Sequence, residues 1–273
     1  MLEENNLLRR LKKILPQNVI DRFLVGIRKA IEKKGDLSLV YHEVSKLDFD
    51  YYGVDLPYSR PSQFWKEYGG ECIELPKPQE KSGVDVFEAI RTRRSRREYT
   101  SKPLSLEQVS AILYYTVGVT GRAWWGGPKR AYPSAGGLQP VEAYLYASNV
   151  EGLERGLYHY HPGRHCLEVV KLGDYSKKLM RASLDQDHVG EAPVVLILTV
   201  VYSRTASKYG LRSYRYIHWD SGFAGQNVYL AVEALGLATV TVGAFYDEEV
   251  CRVMEIDCVE EIPMLIFPIG YRA

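Results

Sequence analysis

The chain is poor in the features that would anchor it in a membrane, hold it on nucleic acid or build a metal centre. Its longest apolar run, Val194 to Val201, is far short of the roughly 20 residues a helix needs to cross a bilayer. With 35 Lys and Arg against 34 Asp and Glu, the formal net charge is only +1, so no overall field draws the chain to polyanions. Only four cysteines occur, Cys72, Cys166, Cys251 and Cys258, and none forms a Cys-x-x-Cys pair. Free thiols in a reducing cytoplasm are the expectation. The opening Met1-Leu2-Glu3-Glu4-Asn5 lacks the basic-then-apolar pattern of a secretion signal. No Gly-x-Gly-x-x-Gly follows a strand, because Gly118-Val-Thr-Gly121 does not make one, so a Rossmann dinucleotide site is not expected. His159 and His161 would share a strand face, but Pro162-Gly163 turns the chain before His165. No carboxylate or Cys follows at ligand spacing, and no metal is expected. There is no internal repeat and no low-complexity segment.

What is plentiful is tyrosine, with 21 residues. Such rings pack cores and interfaces with their hydroxyls paired, or line a site for a planar ligand. At 273 residues the chain has room for one large domain, or a domain plus an extension.

Residues 1–84 read as an N-terminal extension. Leu7, Leu8, Leu11 and Leu15 have helical spacing, Pro16 interrupts, and Ile20, Phe23, Leu24, Ile27 and Ile31 form a second helical run. The stretch to residue 84 is rich in Pro, Tyr, Gly and charge and reads as an arm with no core of its own; Pro76–Gly83 is its clearest linker. From 85 to 273 the patterns strengthen. Helices are expected from Val86, over Leu106–Val117, over Ser221–Leu235 and over Asp247–Met254; Ser105 and Gln108 make a capping box for the second. Strands are expected over Val141–Tyr146, Leu157–Tyr160, Cys166–Val170, Val194–Val201, Leu237–Val242 and Ile262–Ile269, with Val194–Val201 buried on both faces. Helices and hairpin-linked strands in this order predict an α+β fold, a mainly antiparallel central sheet surrounded by helices.

Two segments carry chemistry. Arg91, Arg93, Arg94, Arg96 and Arg97 crowd the end of the helix that begins near Val86, with Ser95 among them. Guanidinium groups grip phosphate oxygens bidentately. A run of arginines also serves as a solvated face or a nucleic-acid patch. The second segment, Pro133-Ser134-Ala135-Gly136-Gly137-Leu138-Gln139-Pro140, offers a hydroxyl, an amide and backbone that can approach a ligand closely. Further on, Gly243 and Ala244 follow a helix–strand connection and leave backbone bare enough for a flat ring. Lys208-Tyr209 places a cation beside a phenol, a pairing suited to proton transfer and also common on surfaces. A ligand with a phosphate at one end and a planar, polar-edged ring at the other fits these features, and flavin mononucleotide (FMN) has that shape.

Arg-Arg-Ser-x-Arg-x-Tyr at 93–99, the Pro133–Pro140 segment and Gly236-Leu-x5-Gly-Ala-Phe245 together resemble the nitroreductase superfamily. Gly156-Leu-Tyr-His-Tyr-His-Pro162, Lys208-Tyr-Gly-x-Arg-x-Tyr-Arg-Tyr216, Asp220-Ser-Gly-x4-Asn227 and Tyr41-His-Glu-Val-Ser-Lys46 resemble its SagB-type dehydrogenase branch, the relatives of thiazoline/oxazoline oxidases. The resemblance implies an FMN-containing homodimer with the flavin at its interface, and NAD(P)H or a small or peptide substrate as reductant. By position, Arg93, Arg94, Ser95 and Arg97 would hold phosphate. Pro133, Ser134, Ala135, Gly136, Gly137 and Gln139 would contact the ring and ribityl chain, and Gly243 and Ala244 would lie beside flavin N5. Lys208 and Tyr209 would move the proton. Phe223 departs from the His often found after Asp-x-Gly in the branch. A different class of reading is a non-catalytic protein that uses Arg91–Arg97 to bind flavin or nucleic acid.

Overall fold

A computed structural model describes residues 10, 13–47 and 63–273. The chain divides into two compact units, Met1–Arg60 with Thr205–Tyr216, and Pro61–Arg204 with Ile217–Ala273.

In the first unit, α1 (Gln17–Glu32) begins directly after Pro16, which is tolerated there because the first helical amides need no partner inside the helix. It packs on α2 (Ser38–Val44). Gly26 permits the close approach, since a Cβ there would meet the Val40 Cα at 2.6 Å. Glu43 receives Lys29 at 2.7 Å and Lys46 at 2.6 Å, and these two ammonium groups hold its carboxyl at about 2. The expected helical run from Leu7 to Leu15 falls mostly outside the described residues.

The second unit contains β1 (Cys72–Glu74), α3 (Val86–Thr92), α4 (Leu106–Val117), β2 (Val119–Arg122), β3 (Pro128–Arg130), β4 (Val141–Ala147), β5 (Gly156–His161), β6 (Cys166–Leu172), α5 (Ser176–Ala182), α6 (Asp187–Glu191) and β7 (Val194–Val201). α7 (Tyr202–Tyr209) and α8 (Ser213–Ala234) follow, and then β8 (Leu237–Thr239), α9 (Asp247–Met254) and β9 (Glu261–Tyr271). Seven strands form one sheet in the order β1-β6-β5-β4-β7-β9-β8. Every neighbouring pair is antiparallel, as the α+β reading expects. β7 lies inside it because its Val-Val-Leu-Ile-Leu-Thr-Val-Val is apolar and β-branched on both faces. On one face Val109, Ile112, Leu113 and Val117 of α4 and Val228 and Val232 of α8 join Leu145, Leu196 and Leu198 in a core. The other core gathers Leu179, Val189, Val250 and Met254 from α5, α6 and α9 around Val195, Ile197 and Ile266. Each such side chain, fully buried, contributes about 1.5–3 kcal/mol. The capping box forms, with Gln108 N donating to Ser105 Oγ at 3.3 Å and Ser105 N to Gln108 Oε1 at 3.0 Å.

The sheet also buries charge. His159 lies between Glu142 and Glu168, 2.9 Å from each, and none of the three is exposed. Arg204 reaches Glu142 and Arg164 reaches Glu168, each at 2.6 Å. Burial acts to raise the Glu142 carboxyl, but Arg204 and His159 outweigh it and hold the group at about 2. His161 meets Trp65 in a tilted ring contact, and His165 bonds Ser110 and Tyr160, so the three histidines face different partners.

Two expectations need correction. The thiols are not free: Cys72 pairs with Cys166 and Cys251 with Cys258, at Cα separations of 5.6 and 5.8 Å. β1 lies alongside β6, which brings together cysteines 94 residues apart. Glu255, left-handed at φ 57°, turns the chain after α9 so that Cys258 returns to Cys251. Paired in this way, the cysteines give no indication of a reducing compartment. The helix expected from Ser221 instead begins at Ser213, because its first turns are polar and aromatic with no apolar stripe to announce them.

Candidate active site

The loop Pro133–Pro140 is shaped by three demands on its backbone. Gly136 (φ 61°), Gly137 (φ 67°) and Gln139 (φ 54°) all take left-handed conformations, open to glycine and costly for glutamine. The loop is held in place from α8. Asp220, 2% exposed, accepts hydrogen bonds from Ser134 Oγ at 2.8 Å and from Ala135 N at 3.1 Å. Ser134 Oγ in turn accepts from Gln139 N at 2.9 Å. Seven residues further along the helix, Asn227 Nδ2 donates to Ala131 O at 2.9 Å. Residues i and i+7 share a helix face, so Asp220 and Asn227 clamp the two ends of one segment. Burial lifts the Asp220 carboxyl to about 6, although both hydrogen bonds pull the other way.

Ser134 is thereby engaged inside the loop. The group left unsatisfied is Gln139, 4% exposed, whose Oε1 is buried and has no hydrogen-bond partner among the described residues. A buried acceptor without a donor costs about 1–3 kcal/mol. A ligand N–H would satisfy it.

The arginine run is not uniform. Arg96 turns inward, pairing with Glu233 at 2.9 Å and donating its backbone N–H to Thr239 O at 2.9 Å. Arg272 shares Glu233 at 3.0 Å. Arg94 folds back on the carbonyls of Arg91 and Arg93. Arg93 lies 5.2 Å from the Tyr229 ring centroid, and Ser95 Oγ is 2.9 Å from the Tyr229 hydroxyl. Burial acts to raise that phenol, but the hydrogen bonds of Ser95 and Thr241 and the charge of Arg93 bring it down. Arg97 is exposed, and Arg93, Arg94 and Arg97 pair with no carboxylate among the described residues. Of these, Arg93 stands beside the Ser95–Tyr229 hydroxyl pair, and guanidinium groups without a carboxylate partner are open to an anion.

Ser95 bridges to Thr239, which connects the arginine segment to the Gly243–Ala244 shelf four residues on, roughly 13 Å of extended chain. Val242 is pinned to Ile266 in both directions, at 2.8 and 3.0 Å. Gly243 and Ala244 beyond it are exposed, and a Cβ added at Gly243 meets nothing within 4 Å. The glycine loop and the arginine segment attach to α8 at Asp220 and Tyr229, nine residues or about 13 Å apart.

Lys208 and Tyr209 belong to the first unit. The Lys208 ammonium lies 5.2 Å from the Tyr209 ring centroid, and Tyr209 meets Tyr216 edge-on at 4.8 Å. Their segment joins the 41–46 motif: Arg215 Nε donates to Ser45 Oγ at 2.9 Å, Arg212 to Ser45 O at 2.9 Å and Arg215 to His42 O at 3.0 Å. Sequence reasoning set these two motifs apart, and the fold brings them together. The brace from Asp220 to Ser134 was also missed as a contact; its signal was the seven-residue spacing of Asp220 and Asn227.

The chain matches the model of the nitroreductase family over residues 90–271 and belongs to that family. It is 39% identical over 203 residues to a Methanocaldococcus jannaschii protein described as a nitroreductase, covering 74% of this chain and 98% of the relative. It is 28% identical over 147 residues to the microcin B17-processing protein McbC of Escherichia coli, covering 52% of this chain and 54% of that protein, a likeness to the SagB-type branch. A crystal structure of a nitroreductase from Anabaena variabilis superposes with a TM-score of 0.70 at 24% identity, over 88% of this chain and 48% of that one, and shows the shared fold. The chain is an oxidoreductase by family. Among the described residues no helix is long and apolar enough to cross a membrane.

Proposed function

We propose that this chain is an FMN-dependent oxidoreductase that passes a hydride through flavin N5. It works either as an NAD(P)H-driven reductase or as a SagB-type dehydrogenase of a small or peptide substrate. The observation that carries the reading is the unsatisfied Gln139 Oε1 on a glycine loop braced from behind. Such a cradle fits the polar edge of a planar ring. Bound flavin supplies the two-electron chemistry, and the protein supplies position and electrostatics.

Arg93, Arg94 and Arg97, with Ser95, hold the phosphate. Pro133, Ala135, Gly136 and Gly137 lie along the ring and ribityl chain, and Ser134 keeps them in register through Asp220. Gly243 and Ala244 present backbone N–H groups to the ring. Tyr209, with Lys208 over its ring, is the proton-transfer group where the substrate needs one. The working form is a homodimer with the flavin at its interface. Phe87 (80% exposed), with the exposed Val86 and Ile90 beside it on α3, leaves apolar surface of the kind a partner subunit covers. Residues 1–84 act as an extension to this 85–273 catalytic domain.

The absorption spectrum of the purified protein, before and after NADPH, tests the reading. A flavin band bleached by NADPH marks the reductase. A flavin band unmoved by NADPH, with no NADPH oxidation in the presence of nitroaromatics, marks the dehydrogenase. A colourless protein that takes up no FMN overturns both.

A further inference from the structure

The hairpin of β2 and β3 stands outside the seven-stranded sheet, and its tip carries two adjacent tryptophans. The turn is tight: Ala123 N donates to Gly127 O at 2.8 Å and Gly126 N to Ala123 O at 2.9 Å, with Gly126 left-handed at φ 89°. Trp124 is 97% exposed. Trp125 is 43% exposed and points back at the glycine loop. Its indole occupies space that only glycine leaves open. A Cβ on Gly127 would lie 1.7 Å from the ring, and one on Gly137 would lie 3.3 Å from it. The Phe64 ring is 5.9 Å away, centroid to centroid.

Beside this indole is a cavity of about 400 Å³, lined by Trp125, Pro128, Tyr132, Ser134, Gly137 and Gln139 among others. One wall is aromatic, and Gln139 brings to the lining a buried amide whose Oε1 has no donor. Aromatic contact adds about 0.5–1.5 kcal/mol beyond the area it buries, and a hydrogen bond to an otherwise unsatisfied acceptor adds a comparable amount. Arg130 also lines the cavity, and its buried Nη1 has no acceptor, so the combination suits a flat heterocycle whose edge bears both an N–H and an acceptor oxygen or nitrogen. Because the proposed function already places a tricyclic ring at the glycine loop, the inference rests on that reading and deepens it. We propose that Trp125 is an aromatic wall of the cofactor site, against which the flavin ring packs while its ring N–H donates to Gln139 Oε1. The hairpin is therefore part of the binding site, and Gly127 and Gly137 are small so that the indole can reach it.

The test uses the purified holoprotein and the variants Trp125→Ala, Trp125→Phe and Trp124→Ala, each checked for fold by far-ultraviolet circular dichroism. FMN retention is measured by equilibrium dialysis, and the flavin environment by visible circular dichroism and fluorescence lifetime. Trp125→Ala is expected to weaken FMN retention about tenfold, lengthen the flavin lifetime and alter the visible dichroism. Trp125→Phe is expected to restore most of the retention while the lifetime stays longer than wild type, because a phenyl ring packs but quenches poorly. Trp124→Ala is expected to match wild type in all three readouts. A folded Trp125→Ala that keeps wild-type retention, lifetime and dichroism overturns the assignment of Trp125 and leaves the FMN reading standing. A wild-type protein that neither carries nor takes up FMN overturns the FMN reading and this inference with it.

Discussion

Ser134 donates its hydroxyl to the buried carboxylate of Asp220 at 2.8 Å, and this bond ties the glycine loop to the long helix beneath it. The same carboxylate accepts from Ala135 N, so one side chain of α8 sets both the hydroxyl and the backbone of the loop. The loop's conformation is thus held from α8 by Asp220 and Asn227.

Asp220 gives the stability a pH dependence of definite sign. Its carboxyl lies at about 6 in the folded chain against an ordinary value of 3.8, so the folded state keeps its proton to higher pH than the unfolded state does. Stability therefore falls as pH rises from about 4 to about 6 and is level above, by at most about 3 kcal/mol. Asp220→Asn keeps an acceptor for Ser134 and Ala135 without a buried charge. Urea unfolding at about pH 3.5 and pH 8, on either side of this window, should show that decline in wild type and its absence in the variant.

The Glu142–His159–Glu168 row predicts a larger effect. Two buried carboxylates facing each other without the imidazole lose their shared counter-charge, so His159→Ala should cost about 3–5 kcal/mol. Burial acts to lower the His159 pKa, but the two carboxylates outweigh it and raise the group. Its contribution is full below the unfolded value and fades as pH rises through the folded one. The Glu142 contribution has the opposite sense, full above its unfolded value and lost as pH falls towards about 2. Thermal melts across pH should show the variant less stable throughout, with the alkaline loss that His159 gives the wild type removed.

Gly127→Ala should displace Trp125, because the added methyl would stand 1.7 Å from the indole. Tryptophan emission should shift to longer wavelength as the ring moves into water, with the main unfolding transition nearly unchanged. An unaltered emission spectrum would show that the indole does not rest on Gly127.

The cysteine pairs predict a simple count. Alkylation of the native, unreduced chain under denaturing conditions should modify none of Cys72, Cys166, Cys251 and Cys258, and all of them after reduction. By chain entropy the Cys72–Cys166 loop contributes about 4–5 kcal/mol and the short Cys251–Cys258 loop about 2 kcal/mol. Reduction should accordingly lower the melting temperature, and most of the loss should be reproduced by Cys72→Ala with Cys166→Ala.

Much of the scaffold was legible because its signals are local. Val194–Val201 declares a buried strand by its own apolar run, Leu106–Val117 by its capping box and Asp247–Met254 by its boundaries. What was not legible depends on partners distant in the chain. β1 has three residues and exists because β6 lies beside it. The disulfide between Cys72 and Cys166 follows from that same pairing. At the site, the glycines and the arginine run stand out by composition. The engagement of Ser134 by Asp220, and of Arg96 by Glu233, requires knowing where α8 passes. Arg96 illustrates the difference: within the run it looks like its neighbours, yet it is the one that turns inward to an acidic partner.

The proposed site sets an anion on Arg93 and Arg97 and a planar ring on the loop that Asp220 braces. Its most direct test is the FMN content and visible absorption of the purified protein beside those of Arg93→Ala with Arg97→Ala. Wild type should carry stoichiometric FMN, and the folded double variant should lose nearly all of it, since charge-assisted phosphate contacts are worth about 1.5–3 kcal/mol each. A double variant that retains FMN as tightly as wild type would contradict the assignment of the phosphate to this cluster.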